Sequence, residues 1–493
     1  MNFGWYLLEK SRCQDKVFVT GDQGTLTYPE FVKKLENLSS VIFHRYGTKK
    51  KFLVMADNTP FFIISYLSII YSGNTAVLVE TRISKKDLTG IIDSSSLTGA
   101  FVQKKYWHNF AGSVVPLIDE TILDEIPDDL LVHPPSGILE DDTAVIIFTS
   151  GSTGTKKGVM LTHKNLIANT RSIIEYLGLD EHDRICVVLP FFYCYGASLL
   201  HTHLRVGGSV VLNQKPFLGS INKDIDSYAC TGFAGVPSTF QILMNKTPFL
   251  QQTFPSLRYF TQAGGQLPNR YITLLAETFP QKKVFVMYGA TEATARLSYL
   301  PPELVMCKMG SIGKGIPGVT LAVLDENGSP VKPGQTGEIA ARGDNIMKGY
   351  YQDPEGTAAV IKNNWLYTGD LATIDDDGFI FVVGRSKNII KSGGYRISPN
   401  EIENEILACE KCKGCVVFGI PDEIMGEAVV AVILTPNTVD HRDLQSEVLT
   451  HCVRRLPSYK VPKKIFFVEE FPLNSSNKLD MARLKETVLP KEK

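Results

Sequence analysis

The stretch "FTSGSTGTKKG", residues 148–158, follows the apolar run Ala144–Phe148 and contains three glycines, five hydroxyl side chains and two lysines. A strand that ends in glycine and small hydroxylated residues exposes backbone N–H groups and hydroxyls with little steric cover. Such a surface suits an oxyanion such as phosphate, and Lys156 and Lys157 add positive charge. The loop of nucleoside triphosphatases, G-x-x-x-x-G-K-[ST], does not fit, because a lysine stands where its second glycine is needed. The stretch therefore predicts phosphate binding of another kind.

The composition predicts a globular enzyme that acts on a small molecule. The chain has 493 residues, 44% of them hydrophobic, which favours at least two domains. Its net charge of −1 and the lack of long single-sign runs argue against a nucleic-acid partner. The N-terminus has no secretory-signal pattern, and the longest apolar stretch, Phe61–Tyr71, is too short to cross a bilayer. We therefore expect a cytoplasmic protein with no membrane span.

Cysteines and histidines offer no clear metal site. Nine cysteines scattered over a long chain fit a reducing compartment. Cys409, Cys412 and Cys415 have metal-like spacing, but no fourth ligand is near and the last of them begins an apolar run, so we predict free thiols. His201 and His203 lie in an apolar stretch without a nearby carboxylate, and we expect them to be packed or hydrogen-bonded.

The first part of the chain has the alternation of an α/β domain. Thr27 and Glu30 form a capping box that predicts a helix. Residues 52–56, an apolar helix ending at Tyr71, and residues 76–79 predict a βαβ unit of a parallel sheet. The same alternation recurs around further predicted strands at 185–190, 209–212, 232–235 and 284–287.

The sequence pattern changes in the later part of the chain. From about Val319, short alternating segments with N-G and D-G turns predict hairpins, which would form a small β-barrel-like part. After Arg385, strands and helices return in a unit of about a hundred residues, enough for a domain. We predict an α/β protein with a large N-terminal domain of parallel-rich sheets, residues 1–386, and a small α+β C-terminal domain, residues 387–493.

Five stretches, in this order, resemble the adenylate-forming superfamily, which includes acyl-CoA synthetases, adenylation domains of nonribosomal peptide synthetases and beetle luciferases. They are "FTSGSTGTKKG" (148–158), "YGATEA" (288–293), "YTGDL" (367–371), "GRSKNIIKSGGYRISPNEIE" (384–403) and "NSSNKLD" (474–480). The resemblance covers essentially the whole chain and implies a mobile C-terminal domain. It also implies that a carboxylate attacks the α-phosphate of ATP to give acyl-AMP and pyrophosphate, and that a thiol then accepts the acyl group. Such a reaction needs cations and oriented donors where negative charge builds up.

The resemblance implies a set of residues for ATP and Mg²⁺. Tyr288 would stack on adenine beside Gly289, Thr291 would contact phosphate, and Glu292 would hold Mg²⁺ that bridges phosphate oxygens. Gly264 and Gly265 match the backbone that closes over adenine and the acyl pocket. The implied phosphate loop consists of Thr149, Ser150, Gly151, Ser152, Thr153, Gly154 and Lys157.

The resemblance also implies ribose contacts and a catalytic lysine. Asp370 would accept both ribose hydroxyls, and Arg385 would make a second ribose or phosphate contact. Lys478 would bridge the substrate carboxylate and the α-phosphate as a compact point charge. With Thr153 and Glu292, it makes up the implied catalytic set.

The small domain is expected to turn between two half-reactions. Lys387 matches the hinge position, and the turn would withdraw Lys478. Gly393 and Gly394 would then leave room for a narrow pantetheine thiol. The chain departs from the family pattern at three positions: Lys156 replaces a proline, Tyr193 a histidine and Asn477 a glycine.

The acid is expected to lack a free α-amine. Amino-acid-activating relatives place an aspartate soon after an aromatic residue, but residues 232–240, "GFAGVPSTF", contain no acid. A buried ammonium without a counter-ion would be costly. The expected pocket walls are small or apolar and suit an aliphatic or aryl chain; they include Tyr193, Gly235, Val236 and Met287.

Several functions share these motifs. The leading hypothesis is an ATP-dependent acid–thiol ligase whose acceptor is CoA or the phosphopantetheine of a carrier protein. A luciferase-like oxygenase and an amino-acid-activating enzyme are the alternatives. A third, a non-enzymatic sensor of acyl or nucleotide ligands, is disfavoured because Glu292, Asp370 and Lys478 occur together.

Overall fold

The computed structural model describes residues 1–126, 137–150, 156–215, 219–385, 388–393, 395–436, 439–474 and 478–489. Its strands are β1 Val17–Gly21, β2 Leu26–Thr27, β3 Lys51–Met55, β4 Thr75–Leu78, β5 Gly99–Val102, β6 Leu117–Ile118, β7 Thr143–Ser150, β8 Lys156–Thr162, β9 Arg184–Val187, β10 Ser209–Leu212, β11 Gly232–Gly235, β12 Tyr259–Gln262, β13 Lys283–Tyr288, β14 Ser298–Leu300, β15 Ser311–Gly315, β16 Val319–Leu324, β17 Gly337–Gly343, β18 Gly349–Tyr350, β19 Ile361–Lys362, β20 Trp365–Ile374, β21 Ile380–Arg385, β22 Ile390–Ser392, β23 Tyr395–Ile397, β24 Gly414–Asp422, β25 Gly426–Leu434 and β26 Lys464–Val468.

The α-helices alternate with these strands through most of the chain. They are α1 Phe3–Leu8, α2 Tyr28–Tyr46, α3 Pro60–Tyr71, α4 Lys85–Ser95, α5 Ile122–Glu125, α6 His163–Leu177, α7 Cys194–Val206, α8 Ser220–Ser227, α9 Pro237–Lys246, α10 Asn269–Thr278, α11 Pro354–Val360, α12 Pro399–Leu407, α13 His441–Arg455 and α14 Met481–Val488. The predicted capping box is present, because the Thr27 hydroxyl accepts from the Glu30 N–H while the Glu30 carboxylate accepts from the Thr27 N–H.

One long sheet carries most of the site. Its parallel part runs β1-β10-β9-β11-β12-β13, so the strand ends that follow β11, β12 and β13 lie side by side. Antiparallel strands β14, β15, β21, β20, β17 and β16 continue it, and they include the hairpins predicted from the N-G and D-G turns. Ligands of open α/β sheets bind beyond the carboxyl ends of the strands.

A second sheet has the order β18-β8-β7-β4-β3-β5-β6. Strands β3, β4, β5 and β7 pair in parallel, which confirms the predicted βαβ unit, while β8 pairs antiparallel with β7. Helix α3, between β3 and β4, is apolar on all sides, and every residue after its first is buried. A helix without a polar face has to be covered on all sides, and α3 belongs to the core shared with strands of both sheets.

The C-terminal part has its own sheet and core. Its strands run β23-β22-β25-β24, with β26 parallel to β25, and α12 and α13 pack together and share the core of this sheet. Cys409, Cys412, Cys415 and Cys452 are buried in this core as free thiols. Burial raises the pKa of Cys412 to about 12. Within the described ranges, no group of three or more His, Cys, Asp or Glu is arranged to hold a metal ion.

The two histidines of α7 are hydrogen-bonded in the core, as expected. The ring of His201 bonds to the Tyr66 hydroxyl at 2.9 Å, and the ring of His203 to the Leu199 carbonyl at 2.9 Å. Burial lowers the pKa of His201 to about 3 and that of His203 to about 4. None of the helices in the described part of the chain is long and apolar enough to cross a membrane.

Candidate active site

The predicted phosphate loop closes the hairpin of β7 and β8. Thr149 lies opposite Lys157 and Ser150 opposite Lys156 in this antiparallel pair, and the Thr149 hydroxyl donates to the Lys157 carbonyl at 3.5 Å. The tip of the hairpin lies outside the described residues, so its phosphate contacts stay a prediction; it contains Gly151, Ser152, Thr153 and Gly154.

Carboxylates orient both lysines at the base of this hairpin. Lys156 Nζ lies 2.5 Å from Glu80 Oε1, and Lys157 Nζ lies 3.0 Å from Asp353 Oδ2. The Gly356 N–H and the Lys157 charge hold the pKa of Asp353 below its usual value. Two positive charges are therefore held next to the predicted phosphate loop.

Glu292, the predicted magnesium ligand, is oriented by a tyrosine. The Tyr350 hydroxyl donates to Glu292 Oε1 at 2.9 Å, and the ring of Tyr350 lies under Lys157, whose Nζ is 4.6 Å from the ring centroid. The Glu292 carbonyl accepts from the Met347 N–H at 2.8 Å. Pairing of β18 with β8 brings Tyr350 to this position, so Glu292, the predicted metal ligand, and Lys157 of the predicted phosphate hairpin contact the same side chain.

The predicted ribose and adenine residues come together on three strands. Asp370 on β20 accepts from the Tyr288 hydroxyl at 2.6 Å through Oδ2 and from Arg385 Nε at 3.0 Å through Oδ1. Asp370 and Arg385 face each other in the β20–β21 pair. Each carboxylate oxygen has a second lone pair, so Asp370 still has the capacity to accept two ribose hydroxyls.

Lys478 reaches this site from the C-terminal part. Its Nζ donates to the Tyr193 hydroxyl and lies 4.4 Å from the centroid of that ring. The Asn474 carbonyl-type Oδ1 accepts from the Lys478 N–H at 3.0 Å, and the Lys478 carbonyl accepts from the Asn474 N–H at 2.7 Å. Burial lowers the pKa of Lys478. Asn477 lies outside the described residues.

Two predicted glycines, Gly264 and Gly289, lie where the neighbouring atoms leave little or no room for a side chain. A Cβ on Gly264, where φ is +86°, would lie 3.2 Å from Lys478 Cε and 3.1 Å from Val236 Cγ1. A Cβ on Gly289 would lie 2.0 Å from the Ala295 carbonyl. Gly265 accepts from Gln262 Nε2 at 2.6 Å, which holds the same loop. The backbone of these loops therefore approaches the lysine and the turn after β13 closely.

Two of the predicted acyl-pocket residues, Tyr193 and Val236, lie beside Lys478 or the Gly264 loop. Tyr193 precedes α7, Gly235 ends β11, Val236 precedes α9 and Met287 lies on β13. Val236 and Met287 are almost completely buried. The side chain of Val236 lies beside Gly264 and hence beside Lys478, so at least this wall is close to the lysine.

The predicted thiol passage is away from these residues. Gly393 donates to the Met425 carbonyl at 2.8 Å, and a Cβ on it would meet Met425 Cε at 2.5 Å, so its close neighbour belongs to its own sheet. Lys387 and Gly394 lie outside the described residues. Their hinge and tunnel roles stay predictions.

Three residues near the site were not predicted from the sequence: Arg296, Tyr350 and Asp353. Arg296 contacts Met287. Cys194, which belongs to the expected pocket wall with Tyr193, has its Sγ 3.5 Å from the Thr291 hydroxyl. Only Arg296 left a signal in the sequence, because a charge interrupts the otherwise small and apolar run after "YGATEA".

The chain belongs to the family of AMP-binding enzymes. Residues 9–351 match the AMP-binding enzyme family, and residues 401–478 match the family of the AMP-binding enzyme C-terminal domain. The chain is 30% identical over 487 residues to the 2-succinylbenzoate–CoA ligase of Bacillus velezensis, covering 98% of this chain and 97% of that enzyme. It is 31% identical over 466 residues to the feruloyl-CoA synthase of Amycolatopsis, covering 92% of each.

Solved structures agree with this assignment. The o-succinylbenzoate CoA synthetase of Bacillus subtilis with its acyl-adenylate intermediate superposes with a TM-score of 0.86 at 26% identity over 97% of each chain. The same synthetase with ATP and magnesium ion gives 0.84 at 27% identity, over 97% of this chain and 99% of that one. The predicted family, the α/β fold with a large N-terminal and a small C-terminal domain, and the acid–thiol ligase class of the AMP-forming type are confirmed.

Proposed function

We propose that this ligase uses ATP and Mg²⁺ to convert a carboxylic acid without a free α-amine to its acyl-AMP, and then passes the acyl group to coenzyme A. The main support for the proposal is the position of the Lys478 side chain. Its ammonium reaches from the C-terminal part to the loop of Gly264 and the ring of Tyr193. Asp370, Tyr288 and Arg385 form a hydrogen-bonded cluster in the N-terminal part, and this cluster is the proposed ribose site.

Lys478 is the proposed catalytic residue of the first half-reaction. The carboxylate of the acid and the α-phosphate of ATP repel each other, and negative charge grows on the phosphate oxygens as the bond forms. A compact ammonium between them offsets both charges, and burial strengthens this attraction. The Tyr193 hydroxyl, which contacts the ammonium, takes part in holding it in position.

The hairpin of β7 and β8, which carries Lys156 and Lys157, is the proposed site of the β- and γ-phosphates. Lys157 would exchange Asp353 for a phosphate oxygen, and the N–H groups and hydroxyls of residues 149–154 would supply further donors. Lys156 is already held by Glu80 at the hairpin base, so little ordering of that side chain remains when the phosphates bind.

Glu292 is the proposed protein ligand of Mg²⁺. A carboxylate oxygen suits this hard cation, which commonly binds one or two carboxylates together with substrate phosphates. Bound there, Mg²⁺ would neutralise phosphate charge. The Tyr350 hydroxyl holds Glu292 on Oε1, and among the residues that the structure describes no hydrogen bond occupies Oε2.

The walls of the pocket and the relatives support an acid without an α-amine. Val236 and Met287 are apolar and buried, and the strand and turn around Gly235 carry no carboxylate that could pair with an ammonium. The relatives' names specify acids of the aryl type, 2-succinylbenzoate and ferulate. Since those relatives are CoA ligases, CoA is the proposed acceptor.

The second half-reaction requires a different arrangement of the small domain. We propose that it turns about Lys387, which withdraws Lys478 and brings Gly393 and Gly394 to the site, where the thiol passes. The resemblance to the adenylate-forming superfamily supports this turn. The arrangement in the structure, with Lys478 beside Tyr193 and Gly264, suits the adenylation step.

Acid-dependent exchange of pyrophosphate into ATP, followed over a panel of aryl, aliphatic and amino acids, tests the proposal. We expect exchange with at least one acid that lacks an α-amine, and CoA-dependent thioester formation with the same acid. Exchange with amino acids alone, or oxygen uptake in place of thioester formation, would overturn it. A thioester formed only on a phosphopantetheinylated carrier protein would overturn the proposed acceptor while leaving the first half-reaction in place.

A further inference from the structure

Arg296 carries a buried positive charge next to Met287, a predicted wall of the acyl pocket. It is 2% exposed. Its Nε donates to Met287 Sδ at 3.3 Å, its Nη1 donates to the Ala295 carbonyl at 3.3 Å, and its guanidinium carbon lies 3.9 Å from the centroid of the Tyr195 ring. Burial raises the pKa of the Tyr176 hydroxyl, and a hydrogen bond from Arg296 opposes that rise, so the guanidinium has a neutral acceptor there. Among the described residues, no carboxylate forms an ion pair with Arg296. A buried charge without a counter-ion is costly in free energy.

The backbone of Arg296 is held firmly in place. Its carbonyl accepts from Asn345 Nδ2 at 2.8 Å and from Asn169 Nδ2 at 3.1 Å, and both asparagines are buried. Asn345 Nδ2 also bonds to the Ala293 carbonyl at 3.2 Å, and the Thr294 hydroxyl bonds to the Asn345 carbonyl at 2.7 Å. The turn that follows Glu292 is thus fixed from two other segments, and it presents the guanidinium from a rigid base.

The start of α7 links Arg296 to the reacting end of the pocket. Tyr195 contacts the Arg296 guanidinium, and Tyr193, two residues earlier, contacts Lys478. Burial raises the pKa of Tyr193, and the Arg296 charge opposes that rise. Met287, a predicted wall of the acyl pocket, contacts Arg296 directly.

We infer that Arg296 pairs with a second carboxylate of the substrate, and that the acid is therefore a dicarboxylic acid. One carboxylate would meet Lys478 and react, while the other would accept from the fork of the Arg296 guanidinium. Paired N–H donors and a planar carboxylate form one of the strongest hydrogen-bonded contacts in proteins, and such a contact compensates the buried charge. The same charge repels an α-ammonium. The inference rests on the proposed function and narrows its substrate class.

Matched pairs of acids that differ by one carboxylate test the inference. Suitable pairs are 2-succinylbenzoate with 4-oxo-4-phenylbutanoate, terephthalate with benzoate, and adipate with hexanoate, each assayed by pyrophosphate exchange. For at least one pair, we expect the kcat/KM of the wild-type enzyme to favour the dicarboxylic acid by about tenfold or more, because a site built for a polar group rejects an analogue that lacks it. Arg296→Met should lower that ratio by about tenfold or more.

Controls separate this inference from the proposed function. Arg342→Met changes an exposed arginine of β17 and should leave the ratio at its wild-type value. If Arg296→Met does not fold, Arg296→Lys keeps the charge without the fork and should give an intermediate ratio. A wild-type enzyme that activates monocarboxylic acids equally well or better in every pair overturns the second-carboxylate inference alone. Exchange with no acid of either kind overturns the proposed function.

Discussion

The ammonium of Lys478 in the C-terminal domain lies 4.4 Å from the centroid of the Tyr193 ring in the N-terminal domain and donates to its hydroxyl. These residues are 285 positions apart in the sequence. Their contact joins the two domains at the place where the acid and the α-phosphate are proposed to meet. It also buries the lysine, and burial has a consequence for its protonation that can be measured.

The pH dependence of adenylation should report Lys478. Burial lowers its pKa below the usual lysine value, and only the protonated ammonium offsets negative charge, so activity should fall as the pH rises through that lowered pKa. We expect an alkaline limb in kcat/KM for pyrophosphate exchange below the pH of about 10.4 at which an exposed lysine titrates.

Lys478→Arg provides the control for this limb. An arginine stays charged throughout the measurable range, so its residual activity should lack the limb. An unchanged limb in Lys478→Arg would assign the titration to another group.

Loss of the Tyr350 hydroxyl should weaken the response to Mg²⁺. Tyr350→Phe removes the 2.9 Å hydrogen bond that orients Glu292. Residues that orient a metal ligand commonly change metal affinity or activity by about tenfold or more when they are mutated. We therefore expect the Mg²⁺ concentration for half-maximal exchange to rise by about tenfold.

The neighbouring Tyr351 offers a matched control for Tyr350. Its hydroxyl donates to the Ser95 carbonyl at 3.5 Å and accepts from Gln352 Nε2 at 3.4 Å, and neither partner is Glu292. Tyr351→Phe should keep the wild-type Mg²⁺ response. Equal responses of the two variants would show that Tyr350 does not position the metal ligand.

Hydrogen bonds from α10 to the C-terminal domain should stabilise the arrangement in which Lys478 contacts Tyr193, which is the proposed arrangement for adenylation. Arg270 Nη1 donates to the carbonyls of Leu407, Glu410 and Cys412 at 3.5, 3.4 and 3.2 Å, and the neighbouring Tyr271 hydroxyl donates to another carbonyl of the same segment. Arg270→Ala should lower pyrophosphate exchange by about tenfold, the scale of a charged hydrogen-bond donor.

The second half-reaction distinguishes a conformational effect of Arg270 from general damage. Thioester formation from supplied acyl-AMP should be unchanged or faster in Arg270→Ala, because the domain leaves this arrangement for that step. Arg342→Ala, at an exposed position of the same N-terminal domain, serves as the control. Parallel loss of both half-reactions in a folded Arg270→Ala enzyme would refute the conformational role.

Local patterns predicted much of the fold. Apolar runs bounded by glycine and turn residues predicted β3, β4, β10 and β11 to within a residue or two, since buried parallel strands need continuous apolar sequence. The ordered motifs predicted that Tyr288, Asp370 and Arg385 serve one nucleotide site, and the structure joins their side chains by hydrogen bonds, while their roles toward the nucleotide stay predictions.

Contacts that depend on distant strand pairing could not be predicted. Tyr350 reaches Glu292 and Lys157 only because β18 pairs with β8, with Gly349 opposite Met160. No local pattern encodes that pairing. The position of the Arg296 backbone likewise depends on Asn169 and Asn345, two amides from remote parts of the chain that bond to its carbonyl.

The most direct test of the account separates the two half-reactions in Lys478→Ala. The account predicts that acid-dependent pyrophosphate exchange falls by about a hundredfold or more, since one oriented charge is lost from the transition state, while thioester formation from supplied acyl-AMP and CoA largely persists. Lys464→Ala, at an exposed lysine of the same domain, should keep both activities. Exchange at the wild-type rate in folded Lys478→Ala would contradict the central role of this lysine.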